Sequence, residues 1–474
     1  MMAQKVLVDP VTRVEGHMSV EIEVANGEVV DARISSTLFR GLERIFEGRD
    51  PRDMPYYTQR ICGFCPISHA MASCNALLDA NPVEVPHNGR LLKHMMLAAD
   101  FLMDHIRHFY FLIVPDFVKM PETSPFTPYP TTDYRLPPNV NAQIIEHYLE
   151  GLDVQRRADT MVATFAGKSP HAHGVLPGGS TMPPHTDRVL KYRSHALELI
   201  EFIRTRMIPD MEAIAEHYSD HYDFGRGYGN MFSFGLFQKS ENLQDRVFKP
   251  GVMMDGQVTE LQLSSIRNGI TEDISHAWYA AGSQKAQPID STVDPEYGKE
   301  RAYTWVKAPR YNGKPMETGP LARLWVNGEY RNGISTMDRL MARVLETLKI
   351  AEYAAAWATE LKPGEPHMAR WDVPQNAFGA GFVDAVRGGL GHWVKIENSK
   401  VAKYQIITPT TWNNSPRDRE GQRGPMEESL IGIPVENPES PIEVIRTIHS
   451  FDPCNACAVQ IITPKGPLPK IRIL

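Results

Sequence analysis

Hydrophobic and polar residues alternate over residues 4–38, as in Lys5-Val6-Leu7-Val8-Asp9 and His17-Met18-Ser19-Val20-Glu21-Ile22-Glu23-Val24, with Asn26-Gly27 between strand-like runs. A period of two is that of a half-buried strand, and Asn-Gly suits the positive φ angles of a tight hairpin turn, so a small antiparallel sheet is expected at the start. The period then lengthens. Helical approaches are expected over Gly41 to Glu47 and Ile67 to Asp79, and long helices over Asn88 to Leu112, Asn141 to Thr164, Asp187 to Tyr218 and Thr336 to Lys362. In the last of these, Met337, Leu340, Met341, Val344, Leu345 and Leu348 recur at helical spacing and read as a core stripe. Segments 112–140 and 219–330 are rich in Pro, Gly, Tyr and Asp and read as irregular, the second with some strand, while 363–440 reads as loop-rich. The expected class is α+β, mainly α: a long-helix bundle core, a small N-terminal antiparallel sheet and a loop-rich C-terminal part. The chain is taken as a single domain over 1–474 with a β-rich start at 1–40.

Composition narrows the function classes. Hydrophobic residues make up 42% and charged residues 23%, as in an ordinary globular protein. The net charge of −7 comes with no basic cluster, which argues against a nucleic-acid partner. No apolar run reaches the length of about 18 residues that a membrane span needs, and no export-signal pattern is seen. The expected location is the cytoplasm, or the periplasm or cell envelope if the chain is exported together with a partner.

Candidate chemistry centres on cysteine. Of five cysteines, four form two C-x-x-C pairs, Cys62/Cys65 and Cys454/Cys457, separated by most of the chain. One such pair alone could be a structural zinc half-site, a redox disulfide or chance. Brought together, the pairs offer four thiolates, enough for one or two soft or borderline metal ions. Structural zinc usually draws its ligands from within a few dozen residues, so this separation is unusual for it. Asp452-Pro453 before one pair and His69 after the other suggest neighbours that tune the ligands. Cys74 reads as a small buried apolar residue. With four cysteines so committed, the chain cannot bind an iron–sulfur cluster through four thiolates of its own. Glycines at 388, 389 and 391 beside Arg387 suggest close approach to something small, although no phosphate-loop pattern is present.

The stretches Arg13-Val14-Glu15-Gly16-His17, Arg40-Gly41-Leu42-Glu43, Arg60-Ile61-Cys62-Gly63-Phe64-Cys65 with His69, Asp104 to Tyr110, Arg387 to Trp393 and Asp452 to Cys457 resemble, in order and from end to end, the successive motifs of the [NiFe] hydrogenase large subunit. The wording of the cysteine motifs looks closer to uptake-type enzymes than to complex-I-like ones. The resemblance implies reversible, heterolytic oxidation of H2 at a Ni–Fe centre whose iron carries carbon monoxide and cyanide. Cys62 and Cys454 would be terminal on nickel, and Cys65 and Cys457 would bridge the metals. Cys454 would take the proton first and Glu15 next, although a Glu at a strand end is on its own merits a solvated charge. Arg387 would lie over the metals, bond a cyanide and assist H2 cleavage, held by Asp104 and Asp452; the bland alternative is a structural ion-pair cluster. Thr410 would donate a hydrogen bond to the other cyanide and His69 to a cysteine sulfur. Glu43 and the carbonyl of Ile406 would form a magnesium site.

Two departures from the family pattern bear on these expectations. Val386 stands where the family often has Pro before the Arg, and Gln460 stands where it usually has the His that completes the magnesium site. A glutamine amide oxygen suits that hard ion, so Gln460 is the candidate third ligand. The partners implied are an iron–sulfur small subunit that takes the electrons, maturation proteins, and a protease that would cleave a C-terminal tail at 461–474. The competing readings are an H2-sensing regulatory subunit with low turnover, a metal-free structural relative, and a plain four-Cys zinc protein. Retention of all four cysteines speaks against the metal-free relative, and the Glu15, Arg387 and Asp452 motifs against the zinc protein.

Overall fold

The computed structural model describes residues 3–240, 242, 244–263, 266–280 and 285–458. It opens with strands Gln4–Val8, Met18–Ala25 and Glu28–Ser36, antiparallel and in sequence order. Asn26 (φ 54°) and Gly27 (φ 81°) make the turn, as a hairpin with the right-handed strand twist requires. The alternation puts Met18, Val20, Ile22 and Val24 on one face, where they join Val29, Ala32 and Ile34 against Met426, Leu430, Val444, Ile448 and Phe451. That contact has a consequence for the site. It seats the beginning of the chain under helix Ile442–Ser450, which runs directly into Asp452.

Helices Pro66–Ala80, His87–Arg107, Pro138–Ala166, Thr186–Phe202 and Thr336–Glu360 make up the bundle, and His87–Arg107 is buried around most of its circumference. Two helices expected to be continuous are interrupted by wider π-helical turns, at His108–Ile113 and Ile203–Met207. Each interruption precedes a proline, Pro115 or Pro209, near the start of the next short helix. Proline lacks the amide donor and crowds the carbonyl four residues back, and a wider turn relieves both problems.

Helix Thr336–Glu360 begins with a capping box between Ser335 and Asp338. Within its expected core stripe Met337, Leu340 and Val344 are buried, while Met341, Leu345 and Leu348 are half-buried. Besides Asp338 at its cap, it carries buried charges that periodicity did not show, Arg339, Arg343 and Glu346.

The α+β class with helices predominating is what the structure has. Within 363–440, read as loop-rich, the structure differs: Ala377–Ala385, Gly388–Glu397 and Lys400–Ile407 form an antiparallel sheet with the middle strand central. Its first two strands are buried over most of their length, so they show no alternation to read. Helix Pro66–Ala80 lies directly on this sheet. A side chain at Gly379 or Gly381 would put its first carbon 2.0 Å from the Ala76 carbonyl oxygen or 2.2 Å from that of Ala72, so only glycine permits the contact. The glycines after Arg387 likewise approach protein rather than a small molecule: a first side-chain carbon would meet Thr318 Oγ1 at 2.4 Å from position 388, and the Phe232 ring at 2.4 Å from position 389.

Candidate metal centre

The two cysteine pairs meet because three arms of the fold converge. Cys62 follows the short helix Thr58–Ile61, and Cys65 is the N-cap of helix Pro66–Ala80, whose Pro66 suits the first helical position. Cys454 immediately precedes the short helix Asn455–Ala458, which contains Cys457. Arg40 binds both segments: its guanidinium donates to the carbonyls of Arg60 (3.2 Å), Ile61 and Ala456. Glu15 adds a strand-like link, with its N–H donating to the Pro453 carbonyl (3.3 Å) and its own carbonyl accepting from Asn455 N–H (2.7 Å). Gly16 (φ 81°) must be glycine here, since a side chain would stand 2.6 Å from Ala456 N.

Four buried, unbridged sulfurs result, all within 4.8 Å of one another. Cys62 Sγ lies 3.4 Å from Cys454 Sγ, Cys65 Sγ 3.6 Å from Cys457 Sγ, and Cys454 Sγ 2.7 Å from Cys457 Sγ. Burial opposes ionisation of Cys62, yet hydrogen bonds from the three other thiols and the nearby Arg387 charge hold it well below the usual thiol range. Burial, with its donor role toward the other sulfurs, keeps the Cys454 thiol well above that range, and burial pushes Cys457 up to about 11. Sulfurs this close cannot all ionise unless a cation sits among them, and this all-sulfur donor set is the kind that soft metals select. The residues present therefore fit a thiolate-bound metal group.

Around the sulfurs stand the other candidates. Glu15 Oε2 accepts from Cys454 Sγ (3.3 Å) and Ala456 N–H (3.2 Å); burial raises its carboxyl above the usual range, helped by the Cys62 thiolate. Arg387 occupies the hairpin turn between strands Ala377–Ala385 and Gly388–Glu397. Its Nε donates to the Asp452 carbonyl (2.8 Å) and its Nη2 to Asp452 Oδ1 (2.9 Å), while Nη1 pairs with Asp104 Oδ2 at 2.9 Å off the hydrogen-bond line. Thr410 Oγ1 accepts the N–H of Cys454 (2.9 Å), which leaves its hydroxyl proton free to be donated elsewhere.

His69 Nδ1 lies 3.2 Å from His392 Nε2, and His392 Nδ1 lies 2.9 Å from the Tyr404 hydroxyl, so Nε2 is the His69 nitrogen left for the hydrogen bond expected toward a cysteine sulfur. Glu43 is buried, and burial pushes it up to about 7; its Oε1 accepts the N–H of Ile406 (3.2 Å), bringing that carboxylate and that backbone segment together. Gln460 and the tail 461–474 lie outside the described residues. Cys74 is buried and its thiol is pushed up to about 11 by burial, as suits an unreactive core residue.

Sequence reasoning gave no role to Arg40, whose position beside Glu43 in a quoted motif was the available signal. Arg343, behind Asp452, carries no motif of its own, and His105 lies within the stretch Asp104 to Tyr110 but was given no role there.

With this geometry in hand, comparison with known proteins is direct. The family model described as nickel-dependent hydrogenase matches residues 40–132, 114–334 and 325–460, and a HoxL-like model matches residues 5–37. The periplasmic [NiFeSe] hydrogenase large subunit of Desulfomicrobium baculatum is 37% identical over 97% of this chain and 95% of its own length. The uptake hydrogenase large subunit of Bradyrhizobium diazoefficiens is 32% identical over 99% and 97%. Among solved structures, a [NiFeSe] hydrogenase from Desulfovibrio vulgaris Hildenborough superposes with a TM-score of 0.93 at 38% identity, covering 97% of this chain and all of that one.

Proposed function

Because this chain belongs to the nickel-dependent hydrogenase family, we propose that it is the subunit that splits H2 heterolytically at a Ni–Fe centre and passes the electrons to an iron–sulfur small subunit. That it is a hydrogenase large subunit and an H2 oxidoreductase follows from the family. The residue roles, the diatomic ligands on iron and the partner are this reading's own. Its single strongest support is the meeting of four buried sulfurs with the Glu15 carboxylate at Cys454 and the Arg387 guanidinium close enough for its charge to act on the thiols.

When bound, the metal group supplies the electrophile that polarises H2 and accepts its two electrons. Cys62, Cys65, Cys454 and Cys457 would hold it through their four buried sulfurs. Cys454 Sγ receives the proton and Glu15 Oε2, 3.3 Å away, takes it onward. A carboxylate with its affinity raised by burial is suited to accept a proton and release it again. Arg387 is tied to Asp452 through Nε and Nη2 and to Asp104 through Nη2 and an Nη1 ion pair at 2.9 Å, and among the described residues Nη1 makes no well-aligned hydrogen bond that would use up its donors. Its orientation is thereby fixed before substrate arrives, and the Thr410 hydroxyl, held by the Cys454 N–H, offers a second donor.

Glu43 with the Ile406 carbonyl would complete a magnesium site with Gln460, and the buried Glu43 carboxylate meeting the Ile406 backbone supplies the hard oxygen donors such an ion takes. The name of the Desulfomicrobium relative supports a periplasmic location for the assembled enzyme.

The test is an infrared spectrum of the purified complex with metal analysis. Metal-bound carbon monoxide and cyanide bands with equal nickel and iron are expected. A protein filled with zinc and lacking those bands, after maturation has been verified, would sink the reading. Turnover of H2 with an artificial electron acceptor then separates an enzyme from a slow sensor.

A further inference from the structure

We propose that Arg343, His105, Glu346 and Arg323 form a closed positioning ring that holds Arg387 over the metal centre from both its backbone and its side chain. The inference rests on the proposed role of Arg387.

The ring can be followed bond by bond. Arg387 donates to the carbonyl and to Oδ1 of Asp452. The other oxygen of that carboxylate, Oδ2, faces Arg343 Nη1 at 3.1 Å as an ion pair off the hydrogen-bond line. Arg343 Nη1 also approaches His105 Nδ1 at 3.0 Å. An arginine can only donate, so Nδ1 accepts and the imidazole proton sits on Nε2, which donates to Glu346 Oε2 at 2.9 Å. Glu346 in turn holds Arg323 through both oxygens, at 2.6 and 2.7 Å. Arg323 closes the circuit by donating to the carbonyls of Ala385 (2.9 Å) and Val386 (3.0 Å), the two residues immediately before Arg387.

Every side chain in the circuit is at most 4% exposed, so no water competes for these partners. A structural ion network could take any shape. This one begins at the guanidinium of Arg387 and returns to the peptide bonds that carry it. It also explains why Asp452 tolerates a left-handed backbone (φ 54°), unusual for a residue other than glycine. Asp452 is held at its carbonyl and at both carboxylate oxygens, two residues ahead of Cys454. The ring therefore sets the guanidinium and that thiolate in one frame. Arg343 and Glu346 lie one turn apart on helix Thr336–Glu360, so the frame is anchored to the bundle rather than to loops.

The experiment compares the assembled, metal-loaded enzyme with His105→Leu, His105→Gln and Arg343→Met. Leucine breaks the ring at its middle, whereas glutamine can accept from Arg343 and donate to Glu346. In His105→Leu and Arg343→Met the infrared cyanide bands should move and kcat should fall by about a hundredfold with KM for H2 little changed, the size expected for displacing a catalytic group by about 1 Å. His105→Gln should restore both band position and rate. If Arg343→Met does not load metal, the His105 pair decides. Leucine variants that melt earlier yet keep unshifted bands and the wild-type rate would overturn the ring as a positioning device and leave it structural. Absence of the bands from unmodified enzyme would instead overturn the functional reading on which the ring depends.

Discussion

Replacing Glu15 by Gln removes the carboxylate that, among the described residues, touches the sulfur cluster, while keeping its shape. The amide oxygen can still accept from Ala456 N–H, so the local fold should survive, but it cannot take up the proton of Cys454. Two negative charges 3.3 Å apart would repel by about 5 kcal/mol at an effective dielectric constant of about 20. This repulsion favours keeping a proton within the pair whenever one arrives, and Glu15 Oε2 is within reach to take it from Cys454 Sγ. Without the carboxylate it must leave by a less favourable route, and H2 oxidation should fall by about 10²–10⁴-fold, the usual contribution of a positioned acid–base group. Metal content and infrared bands should stay at their wild-type values. Two assays check this: dye-coupled H2 oxidation, and exchange of D2 with solvent protons, which requires proton transfer but no electron export. Wild-type exchange in Glu15→Gln would refute the relay, whatever happens to dye reduction.

Three further outcomes are expected. Arg387→Lys keeps the charge but loses the forked grip on Asp452, and turnover should drop by about a hundredfold at intact metal content; unchanged kcat would remove Arg387 from the mechanism. Glu427 is buried between Ile34 N–H (3.0 Å) and the Tyr303 hydroxyl (2.8 Å), and burial pushes its carboxyl up to about 7 from an ordinary 4.5. A raised carboxyl stabilises the fold fully below its unfolded value, and this contribution is lost as pH rises through about 7, here about 3 kcal/mol. Denaturant midpoints at pH 5 and pH 8 should thus differ more for wild type than for Glu427→Gln, and equal differences would contradict the argument. Gly381→Ala should cost at least the roughly 1–3 kcal/mol of an overpacked core, because the added carbon would meet backbone of helix Pro66–Ala80; it should also lower nickel content, since that helix carries Cys65 at its head, and a fully loaded, wild-type-stable variant would contradict the contact.

Much of this was legible in the residues, for identifiable reasons. The first hairpin declared itself because one of its faces is buried and its turn is Asn-Gly. The long helices did so because their apolar spacing is regular, and the cysteine pairs because few residue patterns compete with C-x-x-C. The sheet at 377–407 was hidden because its first two strands are buried over most of their length on both faces, so the period of two vanishes there. The π-helical turns were hidden because only a tertiary fit decides how a chain approaches Pro115 or Pro209. Arg343 escaped because an arginine on an amphipathic helix ordinarily faces water. Only the fold shows that its partner is a carboxylate more than a hundred positions along, at Asp452.

The joining of the two ends has a consequence in time as well as in space. A ribosome adds about 5–20 residues per second, and 392 positions separate Cys62 from Cys454. The first pair of sulfurs is thus exposed for tens of seconds on a nascent chain that offers a metal only half its coordination sphere. Any ion captured in that interval is held by two ligands and is easily lost or exchanged. The four-sulfur site can be completed only once Cys454 and Cys457 have been added, so the order of the chain itself delays stable metal binding until long after the first pair is made.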